Sequence, residues 1–282
     1  MKQVELVISV VLYHNSLREV KTLLQSMEGA PCSLALQLID HTPGGLPFMQ
    51  NFPLPAWAQY RPQAQNRGYG AGHNQAIFDT AISGSYHLIL NPDVSFKPAI
   101  LGALVSYMQR HPATALVMPQ VVWPDGTDQG LRKLLPSPGH LLARRFLPAF
   151  LQSFFRPYLE AYEMKAFPAQ HSFEVPVLSG CFLFCRRDLL QQVGGFDERF
   201  FLYLEDVDLC RRMGAQGPNV YWPGVKVVHH YQKGSYRWGR QLKWHLQSAF
   251  RYFNKHGWFC DSYRKKQNAR ALKQKSLKWE KA

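Results

Sequence analysis

At 282 residues with 46% hydrophobic content, the chain can bury a real core as one large domain or one domain with an appendage, which excludes a disordered protein. Lys and Arg number 33 against 19 Asp and Glu, a formal net charge of +14 that implies an anionic partner: nucleic acid, an acidic membrane surface or phosphate-bearing substrates. Five cysteines, Cys32, Cys181, Cys185, Cys210 and Cys260, show neither C-x-x-C spacing nor a paired framework, so reduced thiols in a cytosolic setting are expected.

The N-terminus MKQVELVISVVLYHN has a lone Lys2, an apolar run interrupted by Glu5 and no small-residue cleavage site, so it is predicted to be a strand and not a signal peptide. No run of about 18 apolar residues occurs, so no membrane-spanning helix is expected, and contact with a membrane would be peripheral. Residues 4–12 form a β-branched run suited to a parallel strand covered on both faces. Asn15 or Ser16 then caps a helix with Leu17, Val20, Leu23, Leu24 and Met27 on one stripe, and residues 34–39 give a second strand ending at Asp40. This βαβ rhythm implies a parallel sheet with its ligand at the carboxyl ends of the strands, where Tyr13, His14, Asn15 and Asp40 fall.

Residues 41–62 are rich in Pro and Gly and predict irregular chain with one short strand at 57–60. In NRGYGAGHNQAI, residues 66–77, Gly68, Gly70 and Gly72 either let the backbone approach a ligand at a helix start or form a plain tight loop. They are not a dinucleotide fingerprint, because they follow Asp40 instead of preceding it. A buried strand at 86–90 runs into Asn91, Pro92 and Asp93. Asp93 is then either an oxygen ligand for a divalent cation bridging two phosphates or a turn residue capping a helix that starts near Lys97.

A helix at 100–110, a strand at 114–122 and a turn at Pro124, Asp125 and Gly126 follow. Residues 134–173, aromatic, Pro-rich and carrying Arg144 and Arg145, read either as a surface lying in a membrane interface or as a helical insertion packed on its own domain. Residues 175–185 are strand-like but broken at Ser179 and Gly180, where a small residue lets an acceptor approach; Cys181 and Cys185 read as core thiols. A loop and last strand over 216–228 end in His229 and His230, which are metal ligands through neutral imidazole or structural. Residues 235–282 interleave Lys and Arg with Trp and Phe, either an interfacial helix on anionic lipid or a solvated charged face.

The stretch GGFDERFFLYLEDVDLCRRM, residues 194–213, sets Glu205, Asp206 and Asp208 directly behind Phe200, Phe201 and Tyr203. A helix is expected to start after Leu204, with acids in its first turn where the macrodipole favours them. Asp208 and Arg212 pair at i,i+4, which leaves Glu205 and Asp206 free at the mouth and Asp206 as a general base.

ISVVLYHN, NRGYGAGHNQAI, LILNPDV, SGCFLF, GGFDERFFLYLEDVDLCRR and VVHH, in that order, resemble the family 2 inverting glycosyltransferases of the GT-A fold, and within them bacterial rhamnosyltransferases of O-antigen and cell-wall polysaccharide assembly. The resemblance covers residues 4–253. It implies an α/β, Rossmann-like domain over residues 1–235 with a mostly parallel central sheet flanked by helices, residues 134–173 as a helical, membrane-facing insertion, and 236–282 as a basic aromatic helical tail.

Carried over, the resemblance makes Asp206 the base and Asp93 and His229 the ligands of a divalent metal, Mg2+ or Mn2+. Tyr13, Asn15, Asp40, Asn66, Gly68 and Asn91 would line the donor site, Arg132 or Arg237 would add charge at the diphosphate, and Gly180 and Glu205 would face the acceptor. The chain departs from the strict D-x-D pattern at Asn91, where the first aspartate would stand. The implied activity is transfer of L-rhamnose from dTDP-rhamnose, a nucleotide-sugar donor, to a polyprenyl-diphosphate-linked saccharide, with the enzyme in the cytoplasm, peripheral on the anionic inner face of the cell membrane and without a nucleic-acid partner. The alternatives are the same fold with a galactosyl, galactofuranosyl or glucosyl donor, a basic nucleic-acid-binding protein, and an inactive scaffold subunit.

Overall fold

The structure, a computed structural model, describes residues 2–146, 149–230 and 239–274. In its first strand, β1 (Lys2–Leu12), Leu6, Val7, Ile8, Val10 and Leu12 are all fully buried, as a strand covered on both faces requires. Ser16 caps α1 (Leu17–Gln25): its hydroxyl accepts the Glu19 N–H while the Glu19 carboxylate accepts the Ser16 N–H. Val20, Leu23 and Leu24 form the buried stripe of that helix. The chain continues through β2 (Leu34–Asp40), buried at every position, and β3 (Ala58–Pro62).

Next come α2 (Tyr69–Ile77), β4 (Ile82–Leu90), β5 (Val94–Ser95), α3 (Ala99–Arg110) and β6 (Leu116–Val122). A third segment holds β7 (Arg132–Lys133), α4 (Pro138–Phe146), α5 (Ala149–Tyr162), β8 (Phe173–Glu174), β9 (Val177–Leu178), β10 (Phe182–Arg186) and α6 (Arg187–Gln192). The last is α7 (Glu205–Met213), β11 (Asn219–His229), α8 (Arg240–His256) and α9 (Ser262–Lys273).

Among the described residues the main sheet has nine strands, ordered β3-β2-β1-β4-β10-β6-β11-β5, with β8 also paired to β11. β1 is parallel to β2 and β4, β2 to β3, and β6 to β11, whereas β10 runs antiparallel between β4 and β6. That reversal matters for the site. It brings the start of β10 to the edge where β4 ends: Phe182 lies opposite Leu90, and the Asn91 N–H donates to the Cys181 carbonyl at 2.9 Å.

The aromatic segment divides its residues between core and surface. Tyr162, Met164 and Phe167 join the main core, while Leu142, Phe150 and Phe154 on the α4–α5 hairpin are 58%, 78% and 78% exposed. The C-terminal helices are bound to the domain. Tyr252 and Phe253 of α8 pack with Leu135, Val177, Phe200, Leu204 and Val207, and Asp261 both caps α9 and pairs with Arg211 at 2.6 Å. A solvated charged face does not describe these helices, although Phe250 and Phe259 remain exposed. Arg237 and residues 275–282 lie outside the described residues. Among the described residues no helix is long and apolar enough to cross a membrane. All five cysteines are free thiols, and Cys181, Cys185 and Cys210 are buried.

Candidate active site

Two consecutive non-glycine residues, Tyr203 and Leu204, take φ +70° and +63°, a left-handed conformation that costs about 1–3 kcal/mol each unless the surroundings enforce it. The enforcement is visible. Phe200 and Leu204 are buried, the Ser248 hydroxyl of α8 donates to the Leu202 carbonyl at 2.8 Å, and Tyr203 stands edge-on to His245 at 5.3 Å. This turn launches α7 with Asp206 in its first turn, where the helix N-terminus favours negative charge.

Asp206 stays half-buried, with its two oxygens held by backbone: Oδ2 accepts the Gly180 N–H at 3.0 Å and Oδ1 the Val207 N–H at 2.8 Å. Gly180 is small because of Asp206. A Cβ there would stand 3.2 Å from Asp206 Cβ. Glu205 does not share the mouth: it is 6% exposed, and burial first, then the charge of Asp206, hold its carboxyl well above the usual range. Placing it against an acceptor is therefore corrected; it is a buried acid behind Asp206. Asp208 pairs with Arg212 at 2.8 Å as expected, and Lys255 and His256 of α8 reach it at 2.7 Å each.

At the end of the sheet Asp93 faces His229, Oδ1 to Nε2, at 3.3 Å. The ring orientation can be deduced. Gln129 Nε2 donates to the carbonyls of Val122 (3.2 Å) and His229 (2.8 Å), so its Oε1 meets His229 Nδ1 at 3.0 Å and can only accept. Nδ1 thus carries the hydrogen, and in the neutral ring Nε2 presents a lone pair toward Asp93, whose Oδ1 is buried and accepts no hydrogen bond among the described residues. A carboxylate oxygen and an imidazole nitrogen so placed fit two ligands of one divalent cation, with phosphate oxygens and water completing the shell. Among the described residues no group of three or more His, Cys, Asp or Glu could hold a metal alone. Asp93 caps no helix, since α3 begins after Pro98 without a side-chain cap.

Tyr69 joins the two halves. Its hydroxyl lies 2.7 Å from the Gly180 carbonyl and 3.0 Å from Asn91 Oδ1, sharing one hydrogen between them. Burial, then the charges of Glu205, Cys181, Asp206 and Asp93, raise its phenol well above the ordinary value, so Asp206 and Asp93 both lie within electrostatic reach of one side chain. Tyr13, Asn15, Asp93 and His230 line a cavity of about 770 Å³, within the size range of ligand pockets.

Four other candidates are engaged by the protein itself. Asp40 is fully buried and spoken for: Oδ1 accepts the Thr42 N–H (2.8 Å), and Oδ2 accepts the Leu46 N–H (2.7 Å) and the Tyr60 hydroxyl (2.5 Å). Asn66 is exposed and its Oδ1 accepts the Gly68 N–H at 2.9 Å. The close approach that Gly68, Gly70 and Gly72 permit is to the protein itself. Added Cβ atoms would meet Phe201 O at 2.4 Å, Phe196 Cβ at 2.7 Å and Val11 Cγ2 at 2.5 Å. Arg132 is buried, paired with Asp128 at 2.7 Å and seated over the Tyr221 ring at 4.4 Å, not turned to the cleft.

Sequence reasoning missed Tyr69, Gln129 and Lys133. Nothing local marks Gln129, whose role depends on a partner 100 residues away. Lys133 was within reach of a period-two argument: along β7 successive side chains point opposite ways, and Lys133 is the one within electrostatic reach of Asp206.

No family model matches the chain. It is 35% identical over 183 residues to the N-acetylglucosaminyl-diphospho-decaprenol L-rhamnosyltransferase of Mycobacterium tuberculosis, across 60% of this chain and 57% of that protein. It is 26% identical over 199 residues to rhamnosyltransferase WbbL of Escherichia coli, across 65% of this chain and 70% of that protein. The chain thus spans less than two thirds of the mycobacterial relative. In structure it is similar to the mannosyltransferase PcManGT of Pyrobaculum calidifontis in complex with GDP-Man and Mn2+, with TM-score 0.60, 15% identity, 98% of this chain and 70% of that one. TarS of S. aureus gives TM-score 0.53 at 13% identity, over 80% of this chain and 37% of that one. The fold is GT-A, and the resemblance to rhamnosyltransferases read from the motifs is borne out.

Proposed function

We propose that this GT-A-fold chain is an inverting family 2 glycosyltransferase that moves L-rhamnose from dTDP-rhamnose to a polyprenyl-diphosphate-linked saccharide. One observation carries the reading: Asp206 and the Asp93–His229 pair, in which Asp93 comes from the other half of the chain, stand on one sheet edge around Tyr69. Rhamnose transfer is supported by the names of the mycobacterial and E. coli relatives, and the lipid-diphosphate acceptor by that of the mycobacterial one.

The donor's nucleoside diphosphate occupies the cavity at Tyr13, Asn15 and Asp93. Asp93 and His229 would hold a divalent cation, Mg2+ or Mn2+, which when bound supplies positive charge for the departing diphosphate. Asp206 takes the proton of the acceptor hydroxyl as that oxygen attacks the anomeric carbon. General-base help of this kind is worth about a hundred- to ten-thousand-fold in rate. The Gly180 and Val207 N–H groups hold the carboxylate in place without neutralising it. Burial biases Glu205 toward its neutral form, which leaves the negative charge at this corner on Asp206. One displacement on one face inverts the centre.

The exposed Leu142, Phe150 and Phe154, together with the net charge of +14, support attachment to an anionic membrane face in the cytoplasm, where a lipid-linked acceptor would be met. The test is transfer to a prenyl diphospho-N-acetylglucosamine with dTDP-rhamnose, UDP-galactose and UDP-glucose offered in parallel. Rhamnose should be transferred with inverted configuration; transfer from another donor alone removes the rhamnose assignment, and a retained configuration removes the mechanism.

A further inference from the structure

Asn91 stands where the strict D-x-D pattern has its first aspartate. Pro92 and Asp93 line the cavity at Tyr13 and Asn15, and Asn91 does not. It is tied instead, twice, to the residues that precede β10. Its N–H donates to the Cys181 carbonyl at 2.9 Å, and its side-chain amide lies 3.0 Å from Tyr69 Oη, which is itself 2.7 Å from the Gly180 carbonyl. The Tyr69 ring is fixed in turn. It stands edge-on to His73 at 4.4 Å and to Phe196 at 5.8 Å, and the Tyr69 N–H donates to the Phe201 carbonyl at 3.0 Å.

A phenol hydroxyl has one hydrogen, and with Asn91 Oδ1 toward it that hydrogen must serve two acceptors. The distances separate the two contacts. An O–H···O bond is typically about 2.7–2.8 Å long and an N–H···O bond about 2.9–3.0 Å. The hydroxyl therefore belongs to the Gly180 carbonyl, and the place 3.0 Å away suits Asn91 Nδ2, which has hydrogens to give. The two ends of the amide have the same shape, so a half turn of the group makes the exchange and leaves every polar atom of the contact satisfied.

Resting on the transferase reading above, we propose that Asn91 and Tyr69 are positioning residues for the base: the Asn91 amide donates to Tyr69 Oη, Tyr69 Oη donates to the Gly180 carbonyl, and the Gly180 N–H holds Asp206. This line spaces the carboxylate from the Asp93–His229 pair, two residues beyond Asn91 at the same strand tip. It also gives the reason for asparagine at that place. An aspartate has the same size but only accepts, so it would draw the Tyr69 hydrogen off the Gly180 carbonyl.

The test compares Asn91→Asp with Tyr69→Phe in the full chain. Both should lower kcat for transfer by about ten- to a hundred-fold, as a displaced reacting group does, with the KM for dTDP-rhamnose near wild type. Combined, they should cost little more than either alone, because they break one line. In an Asp206→Asn background Tyr69→Phe should cost nothing further, whereas a residue that only supports the fold would lower the residual rate there as well. Asn91→Asp transferring at or above the wild-type rate overturns the proposal and returns position 91 to the metal. Wild-type kcat in Tyr69→Phe overturns it too, as does a further loss in the Asp206→Asn background.

Heteronuclear NMR of the Asn91 side-chain amide reads the link without turnover: one hydrogen should exchange slowly with water in the wild type and quickly in Tyr69→Phe. If no sugar is transferred yet that protection depends on Tyr69, the transferase reading falls and the hydrogen-bonded line stands. If sugar is transferred and both amide hydrogens exchange quickly in the wild type, the line falls alone.

Discussion

The backbone of Gly180 grips Asp206: its N–H reaches the carboxylate at 3.0 Å, while its carbonyl lies 2.7 Å from the Tyr69 hydroxyl. A base held by backbone has its orientation set by the sheet edge and not by neighbouring side chains, so removing its charge need not disturb the fold. Asp206→Asn keeps an oxygen for the Gly180 N–H, gives up only the one that accepts the N–H of the adjoining Val207, and cannot take a proton. Transfer should fall by about a hundred- to ten-thousand-fold, with donor affinity and melting temperature near wild type. Loss of activity accompanied by a melting temperature several degrees lower would assign Asp206 to stability instead.

The metal assignment has its own readout. Mn2+ titrated into the protein with dTDP, followed by electron paramagnetic resonance, should give a site that Asp93→Ala or His229→Ala removes. Gln129→Leu deletes the acceptor that keeps hydrogen on His229 Nδ1, and outer partners of this type are worth about 10- to 100-fold in metal affinity. EDTA should suppress transfer in the wild type. Full activity after demetallation removes Asp93 and His229 from the leaving-group role.

Much of the fold was legible because burial writes itself into short patterns. The β-branched run of β1, the helix cap at Asn15 or Ser16 and the Asn91-Pro92-Asp93 tip after β4 each follow from residue types alone. The positions of Asp206, Asp93 and His229 were legible because each sits at the end of such an element. It was not legible where the answer depends on what lies opposite in space. Whether Gly68 faces a nucleotide or Phe201, and whether Asp40 is open or closed by Tyr60, is decided by chain 133 and 20 residues distant. The reversal of β10, which brings Gly180 to Asp206, has no local signature either.

Gly68 separates a packing role from a binding role. It has φ +97°, and a Cβ would lie 2.4 Å from the Phe201 carbonyl oxygen, in backbone that leads to the Tyr203–Leu204 turn. Gly68→Ala should cost about 2–5 kcal/mol, combining left-handed strain with overpacking. Urea unfolding measures it. A variant of wild-type stability with only donor affinity reduced would return Gly68 to the nucleotide pocket.

Acid should weaken the brace between α7 and α8. Burial alone would raise the Asp208 carboxyl, but the His256 hydrogen bond, the Arg212 guanidinium and Lys255 more than offset this and bring it to about 2, from an ordinary value of 3.8. The folded value is the lower one, so the stabilisation is complete above the unfolded pKa and is lost as pH falls from about 4 through 2. With Asp208 fully buried, a shift of this size is worth on the order of 2 kcal/mol. Lys255→Met/His256→Gln removes two of the three partners and leaves Arg212. Urea midpoints at pH 5 and pH 2 should show the double variant less stable at the higher pH and losing less between the two. Parallel losses in both proteins would mean that the acid sensitivity originates in other carboxylates; because Lys255 also holds Asp197 below the usual range, the comparison is made in an Asp197→Asn background as well.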